Sequence, residues 1–324
     1  MGCSRRFGTE WSNHRSDHSG TVADFLAWRV GNPERCGWPE CSTASVDWKR
    51  MGPPIDLRPV FPLERASLLG LLCTLDSRDW HRATVCPGWD VHDIVGHLFN
   101  DYVRRLSTLD TEHAMSGPPA GEDLPTYIAR INEEFVVATR VFSPRLLIDM
   151  LRRLGPQLDA MWAECDPTEI GRIDVSWAAP GDPAPVWLDI AREYTEFWAH
   201  QQQIRDAVGR PGATEQRLLH PVLDTFLRAL PYALRDASAA VGATVRVRVP
   251  GDAGGEWTAT RDSQGWKLAA DSGRIPTADV EIDARTLWRL ATRGIEPPEA
   301  EATARVRGDR SLAATALTLL AIIR

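Results

Sequence analysis

The hydrophobic period changes once along this chain, and that change constrains the fold more than any other feature. From about residue 60 to 237 apolar residues recur three and four apart, the spacing of helices with one buried face. After residue 240 they recur every second residue, the spacing of half-buried strands. A helical bundle followed by a small α+β domain satisfies both halves, so the expected class is α+β.

Within the helical part, "PLERASLLGLLCTLD" reads as one helix. A second starts at Asp90, a good N-cap, with Asp93 adding negative charge to its first turn. Residues 124–141 and 144–164 predict two more, split near "FSPR". "DPAPVWLDIAREYTEFWAHQQQIRDAVGRPG" predicts a Pro-rich loop and then a long helix that ends at Gly209, with Pro211 beyond it. "TEQRLLHPVLDTFLRALPYALRDAS" adds one more, broken by its prolines. In the second part "ATVRVRVPG", "GEWTATRD", "GWKLAAD" and "ADVEIDA" predict four short strands. Two helices follow, "ARTLWRLATRG" and "RSLAATALTLLAIIR".

Residues 1–50 follow neither period. They read as a leader, either disordered or the product of a translation start placed too far upstream. Trp11, Trp28, Trp38 and Trp48 argue against plain disorder, because disordered segments are poor in aromatics. The expected organisation is therefore a leader over 1–50, a helical bundle over 51–237 and an α+β domain over 238–324.

Composition narrows the function. The net charge is -7, which argues against a nucleic-acid binder that relies on broad phosphate neutralisation. No apolar run reaches the roughly 18 residues of a membrane span; "LLGLLCTL" and "LAATALTLLAII" fit buried helices. The N-terminus lacks the apolar core of a signal peptide, so a cytoplasmic protein with reduced thiols is expected. Cys36 and Cys41 with His14 and His18 have irregular spacing for a zinc knot. A Ser or Cys hydrolase is disfavoured: there is no G-x-S-x-G, and Cys86 precedes a Pro-Gly turn without an evident base.

Metal chemistry has a better foothold. Glu196 and His200 lie four apart on the long helix, one turn apart on one face, where both reach a single ion. Glu193 lies on the same side. Alone, such a pair is most often a helix-surface pair. On the second helix Val91, Ile94, Val95 and Leu98 define the apolar face, and His92 sits nearer its centre than His97. The wheel alone leaves open which of these histidines does chemistry.

"CPGWDVHDIVGHL", followed about a hundred residues later by "EFWAHQQQIRDAVGRP", resembles the metal-binding half of the mycothiol-dependent maleylpyruvate isomerase family. That family belongs to the DinB-like group of four-helix bundles, and the resemblance covers most of 60–210. The C-terminal part, with "VRGDRSLAATALTLL", is similar to the sterol-carrier-like domain that accompanies this half. The resemblance implies that His97, Glu196 and His200 hold one divalent metal, with zinc expected, and it leaves His92 to packing or surface. Three protein ligands leave zinc a position open for water or a thiol, and zinc brings thiol ionisation near neutral pH.

The implied thiol is mycothiol, which points to an actinobacterial host. The implied reaction is isomerisation of, or S-transfer to, a small electrophile, with the thiol external rather than a protein cysteine. A dicarboxylate substrate needs a cation, for which Arg274, in "DSGRIP", Arg205 and Arg228 are candidates; the resemblance, in which the family draws an arginine from this domain, puts Arg274 first as the catalytic candidate. The competing expectation is a non-enzymatic bundle with a structural metal, whose C-terminal domain binds an apolar ligand or a partner. Nucleic acid and membrane are not expected partners.

Overall fold

Polar side chains at the helix ends set the limits of the bundle. The computed structural model describes residues 47–109, 119, 121–174, 183–270 and 273–321. Trp11, Trp28, Trp38, His14, His18, Cys36 and Cys41 lie outside these described residues. Helix α1 spans Phe61–Leu72, α2 Val91–Ser107, α3 Leu124–Thr139 and α4 Pro144–Ala163. Asp90, Asp123 and Ser143 each accept a first-turn backbone N–H, as N-caps do. Asp93 also returns a bond to the Asp90 backbone, closing a capping box. Helix α5, Val186–Val208, stops at Gly209, whose φ of 67° is the left-handed conformation that glycine adopts without strain.

Helices α1, α4, α2 and α5 pack in a closed ring, each against the next, and α3 packs along α2. Leu68, Ile94, Leu98, Leu147, Leu151 and Phe197 fill the centre with 2% exposure or less. Each such side chain contributes roughly 1.5–3 kcal/mol of burial. Phe61 meets Tyr194 and Phe197 edge-on, tying α1 to α5. Gly96 lets α3 come close: a Cβ there would stand 2.2 Å from Thr139 Oγ1.

Between α4 and α5 the expected loop contains a short antiparallel ribbon, β1 (Ile170–Asp174) against β2 (Pro183–Pro185). Strands this short show no readable alternation. Beyond Gly209, α6 (Gln216–Leu227) runs through Pro221, and the break falls before α7 (Leu230–Ala233).

The sheet has the order β5-β4-β3-β6-β7. Its strands are β3 (Thr244–Val249), β4 (Gly255–Asp262), β5 (Gly265–Ala269), β6 (Ala278–Glu281) and β7 (Arg305–Gly308). Only β3 and β6 pair in parallel among the five. Strand β3 alternates as the sequence requires. Val245, Val247 and Val249 are buried, while Arg246 and Arg248 pair with Asp279 on the opposite face. Helices α8 (Ala284–Ala291) and α9 (Pro297–Thr303) connect β6 to β7, and α10 (Arg310–Ala316) follows. Strand β7 and helix α9 are additions to the expected elements. The C-terminal helix ends at Ala316, earlier than its apolar pattern does, and Leu317, Leu319 and Ala321 are buried outside it.

Trp198 on α5 meets Trp288 on α8 edge-on, and Asp206 pairs with Arg285 and Arg289. One hydrophobic core runs through the bundle and the sheet. Residues 47–50, placed in the leader by the sequence reading, take part in the fold. Arg50 donates to the Trp266 carbonyl and pairs with Asp262, and Met51 is buried. Among the described residues no helix is long and apolar enough to cross a membrane.

Candidate metal centre

A tight turn builds one wall of the site. Cys86, Pro87, Gly88 and Trp89 form it, with the Trp89 N–H donating to the Cys86 carbonyl at 3.1 Å and Gly88 at φ 81°. Proline second and a positive-φ glycine third are the requirements of a type II turn. Thr84 fastens it: its hydroxyl donates to the Trp89 carbonyl and accepts the Cys86 N–H. The turn feeds Asp90, the cap of α2, so the Pro-Gly-Trp motif and the helix that carries His97 are positioned together. Trp89 then lies beside His97, ring centroids 5.2 Å apart, and donates its indole N–H to Glu133 on α3.

His97 from α2 meets Glu196 and His200 from α5. His97 Nε2 lies 3.3 Å from Glu196 Oε1, and His200 Nε2 lies 3.0 Å from the same oxygen. The imidazole centroids are 4.7 Å apart. One donor atom from each of the three side chains falls within 4.8 Å of the others. Bonds of about 2.0–2.2 Å to a single ion imply donor–donor edges of about 3.0–3.4 Å, so this donor set fits a divalent cation.

His200 Nδ1–H donates to Gln203 Oε1 at 2.7 Å, which leaves Nε2 facing the cluster. The Cys86 thiol donates to the same Gln203 oxygen at 3.2 Å. Burial opposes charge on the His200 ring, but the adjacent Glu196 carboxylate and the nearby Cys86 together outweigh it and hold the imidazole pKa well above its ordinary value. Burial likewise disfavours a charged Glu196, and His200 and His97 more than offset that, holding its carboxyl well below the usual range.

The remaining sequence candidates separate cleanly. His92 is a packing residue: it is buried, its Nε2–H donates to the Phe142 carbonyl at 2.9 Å, and its ring meets Trp80. Glu193 is held by Arg105 at 2.7 Å and Arg192 at 3.2 Å. Arg228 is buried, donates to the Met51 and Pro53 carbonyls and pairs with Asp224. Arg205 bonds Gln201, Ser67 and the Arg210 carbonyl. Arg274 is exposed in the segment before β6. Sequence reasoning missed Gln203, the approach of Cys86, and a buried carboxylate, Asp101, whose Oδ2 is 3.6 Å from His97 Nε2.

Comparison with known proteins bears on this arrangement. Residues 61–205 match the family model described as the mycothiol maleylpyruvate isomerase N-terminal domain. Among solved structures, a mycothiol-dependent maleylpyruvate isomerase is similar at 14% identity and a TM-score of 0.43, covering 77% of this chain and 90% of that one. A histidine-to-alanine mutant of such an isomerase is similar at 13% identity and a TM-score of 0.44, covering 81% and 93%. The sterol carrier protein domain 2 of Helicoverpa armigera aligns with 29% of this chain and 80% of its own, at 18% identity and a TM-score of 0.24. No curated protein sequence matches the chain.

Proposed function

We propose that this chain, whose residues 61–205 match the mycothiol maleylpyruvate isomerase N-terminal domain model, is a metal-dependent enzyme. In this reading it uses a low-molecular-weight thiol, mycothiol, to isomerise a small electrophilic substrate or to transfer the thiol onto it. The observation that carries the reading is the meeting of His97, from the Pro-Gly-Trp helix motif, with Glu196 and His200 of α5. A divalent metal held there, with zinc as our assignment, supplies a Lewis acid that lowers the pKa of a thiol toward neutrality. Glu196 offsets part of the cation charge. Gln203 keeps the His200 Nδ1 proton in place, so the Nε2 lone pair is the one offered. Trp89 packs beside His97 and keeps water from that flank. Arg274, exposed in the segment before β6, is our choice to hold a substrate carboxylate, because the family that the motifs resemble draws an arginine from this part of the chain.

One observation favours a second reading of the nucleophile. The Cys86 thiol shares an acceptor with His200, so a protein thiol stands beside the cluster. Our first choice remains an external thiol. The C-terminal apolar segment gives less support to a non-enzymatic ligand-binding role, because Leu312, Ala313, Ala316, Leu317 and Leu319 are already buried in the fold.

The test is turnover of an electrophile panel that includes maleylpyruvate, by zinc-loaded protein supplied with mycothiol. Activity is expected in the wild type, with a strong loss in His200→Ala and a KM increase in Arg274→Ala confined to carboxylate substrates. Activity that requires Cys86 while metal binding is intact makes the nucleophile internal. A folded, zinc-loaded sample that turns over nothing in the panel removes the enzymatic reading.

A further inference from the structure

Asp101 is the ionisable group near the cluster to which the reading above gives no role. We infer that Asp101 is a fourth protein ligand of the metal centre, an inference that rests on the metal-binding reading of His97, Glu196 and His200.

Position is the first support. Asp101 follows His97 by four residues on α2, and His200 follows Glu196 by four on α5. A spacing of four stacks two side chains on one helix face, so each helix offers an imidazole and a carboxylate one turn apart. The two helices pack directly against each other. Distance is the second. Asp101 Oδ2 lies 3.6 Å from His97 Nε2, the ring nitrogen that also faces Glu196. That separation is close to the donor–donor edge of a single coordination shell, about 3.0–3.4 Å for bonds of ordinary length. The mutually close donors are those of His97, Glu196 and His200, so Asp101 joins the shell by turning its side chain from the His97 side toward Glu196 and His200.

Solvation is the third. The Asp101 side chain is 6% exposed, and Oδ2 has no hydrogen-bond partner among the described residues. Buried carboxylates carry a large desolvation cost that a donor or cation must offset. The nearest protein cation is a poor one for this purpose. Arg104 Nη2 is 3.9 Å away, on the side of Oδ1, and Nη1 of the same arginine donates to Asn132 Oδ1 at 3.1 Å. The oxygen without a partner is the one that faces the histidine. Asp101 and Glu196 together supply two negative charges, which balance one divalent cation. The site then has two imidazoles and two carboxylates.

The experiment uses full-length protein stripped by a chelator and titrated with zinc and with cobalt(II). Wild type, His97→Ala and the isosteric Asp101→Asn are compared, with far-UV circular dichroism as the folding control. The expected result is one cation per wild-type chain, none in His97→Ala, and affinity lower by about 100-fold in Asp101→Asn with an altered cobalt visible spectrum. A zinc-loaded wild-type crystal structure is expected to place an Asp101 oxygen about 2.0–2.2 Å from the metal. Wild type that binds no cation, or His97→Ala that binds as well as wild type, brings down the metal-centre reading itself. Wild-type binding that needs His97 while Asp101→Asn keeps both affinity and spectrum overturns this inference alone. So does weaker binding with an unchanged spectrum and the Asp101 oxygens outside bonding distance. If Asp101→Asn does not fold, the zinc-loaded wild-type structure decides.

Discussion

Two polar clusters share α2 and α5, and they are completed differently. In the first, Arg105 bonds both oxygens of Asp189 at 2.8 Å and Glu193 at 2.7 Å, and Arg192 adds bonds to the same two carboxylates. Two cations face two anions. Burial alone raises the Asp189 pKa, and the arginines reverse that and hold it far below the carboxylate range. Among the described residues Glu193 Oε1 has no hydrogen-bond partner. In the second cluster, beside it on the same helices, Glu196 and Asp101 face two histidines, and among the described residues neither His97 Nδ1 nor Asp101 Oδ2 has a hydrogen-bond partner. The first cluster carries its own counter-ions and closes a helix interface. The second has donors in excess of its protein partners, which is what a site for an outside cation requires.

The largest effect is expected from breaking the self-contained cluster. Arg105→Leu leaves Asp189 and Glu193 short of a buried partner and should cost about 3–5 kcal/mol of stability, read from urea unfolding of the metal-free protein. The corresponding break in the open cluster, His200→Ala, should cost under about 2 kcal/mol in the same assay and abolish cation uptake. Equal losses in the two variants would end the distinction.

Glu64 shows a third way to keep a buried carboxyl. It is 1% exposed and bonded by the Gln201 amide, and burial pushes its pKa up from 4.5 to about 7. Between those values the folded state keeps a proton that the unfolded chain has released. Stability is therefore full below pH 4.5, falls as pH rises, and levels off above about 7, a total of about 3 kcal/mol. Glu64→Gln should remove this slope from the difference between matched pH-dependent unfolding curves.

Cation binding should sharpen the contrast by a slightly smaller amount. Free zinc at about 100 times its Kd should stabilise the wild type by about 2.7 kcal/mol, reversed by a chelator. Arg105→Lys, where it folds, should keep that response, and His97→Ala should lose it; differential scanning calorimetry with and without zinc reads both. The smallest effect is expected at the margin of the open cluster. Cys86→Ser keeps a donor toward Gln203, so stability should change by less than about 1 kcal/mol.

Local rules made much of this legible. Caps and breakers at Asp90, Ser143 and Gly209 act within one turn, and the period-two alternation of β3 follows directly from which residues are buried. Strand β7 escaped notice because it is a four-residue, largely exposed edge strand that takes its identity from pairing with β6. At the site, the spacing of Glu196 and His200 was visible, but the histidine on α2 was not decided by the wheel. Both His92 and His97 are buried, and burial does not distinguish a ring that donates to a carbonyl from one that faces a carboxylate. Asp101 was readable in principle, since it repeats the spacing of four. The contact between Cys86 and Gln203 joins residues 117 apart in sequence and needs the folded chain.

Gly96 immediately precedes His97, and its consequence reaches past local packing. Thr139 opposite it is 1% exposed, and its hydroxyl already bonds the Val136 carbonyl. There is no slack on that side for a methyl group. Alanine in place of a mid-helix glycine ordinarily gains up to about 1 kcal/mol of helix stability, and here the chain forgoes it. The gap between α2 and α3 at this level is therefore gauged by a hydrogen atom. That gauge sets how closely α2 seats on α3 one residue before His97, and it makes position 96 the place where an added methyl group should appear first as a loss of cation affinity.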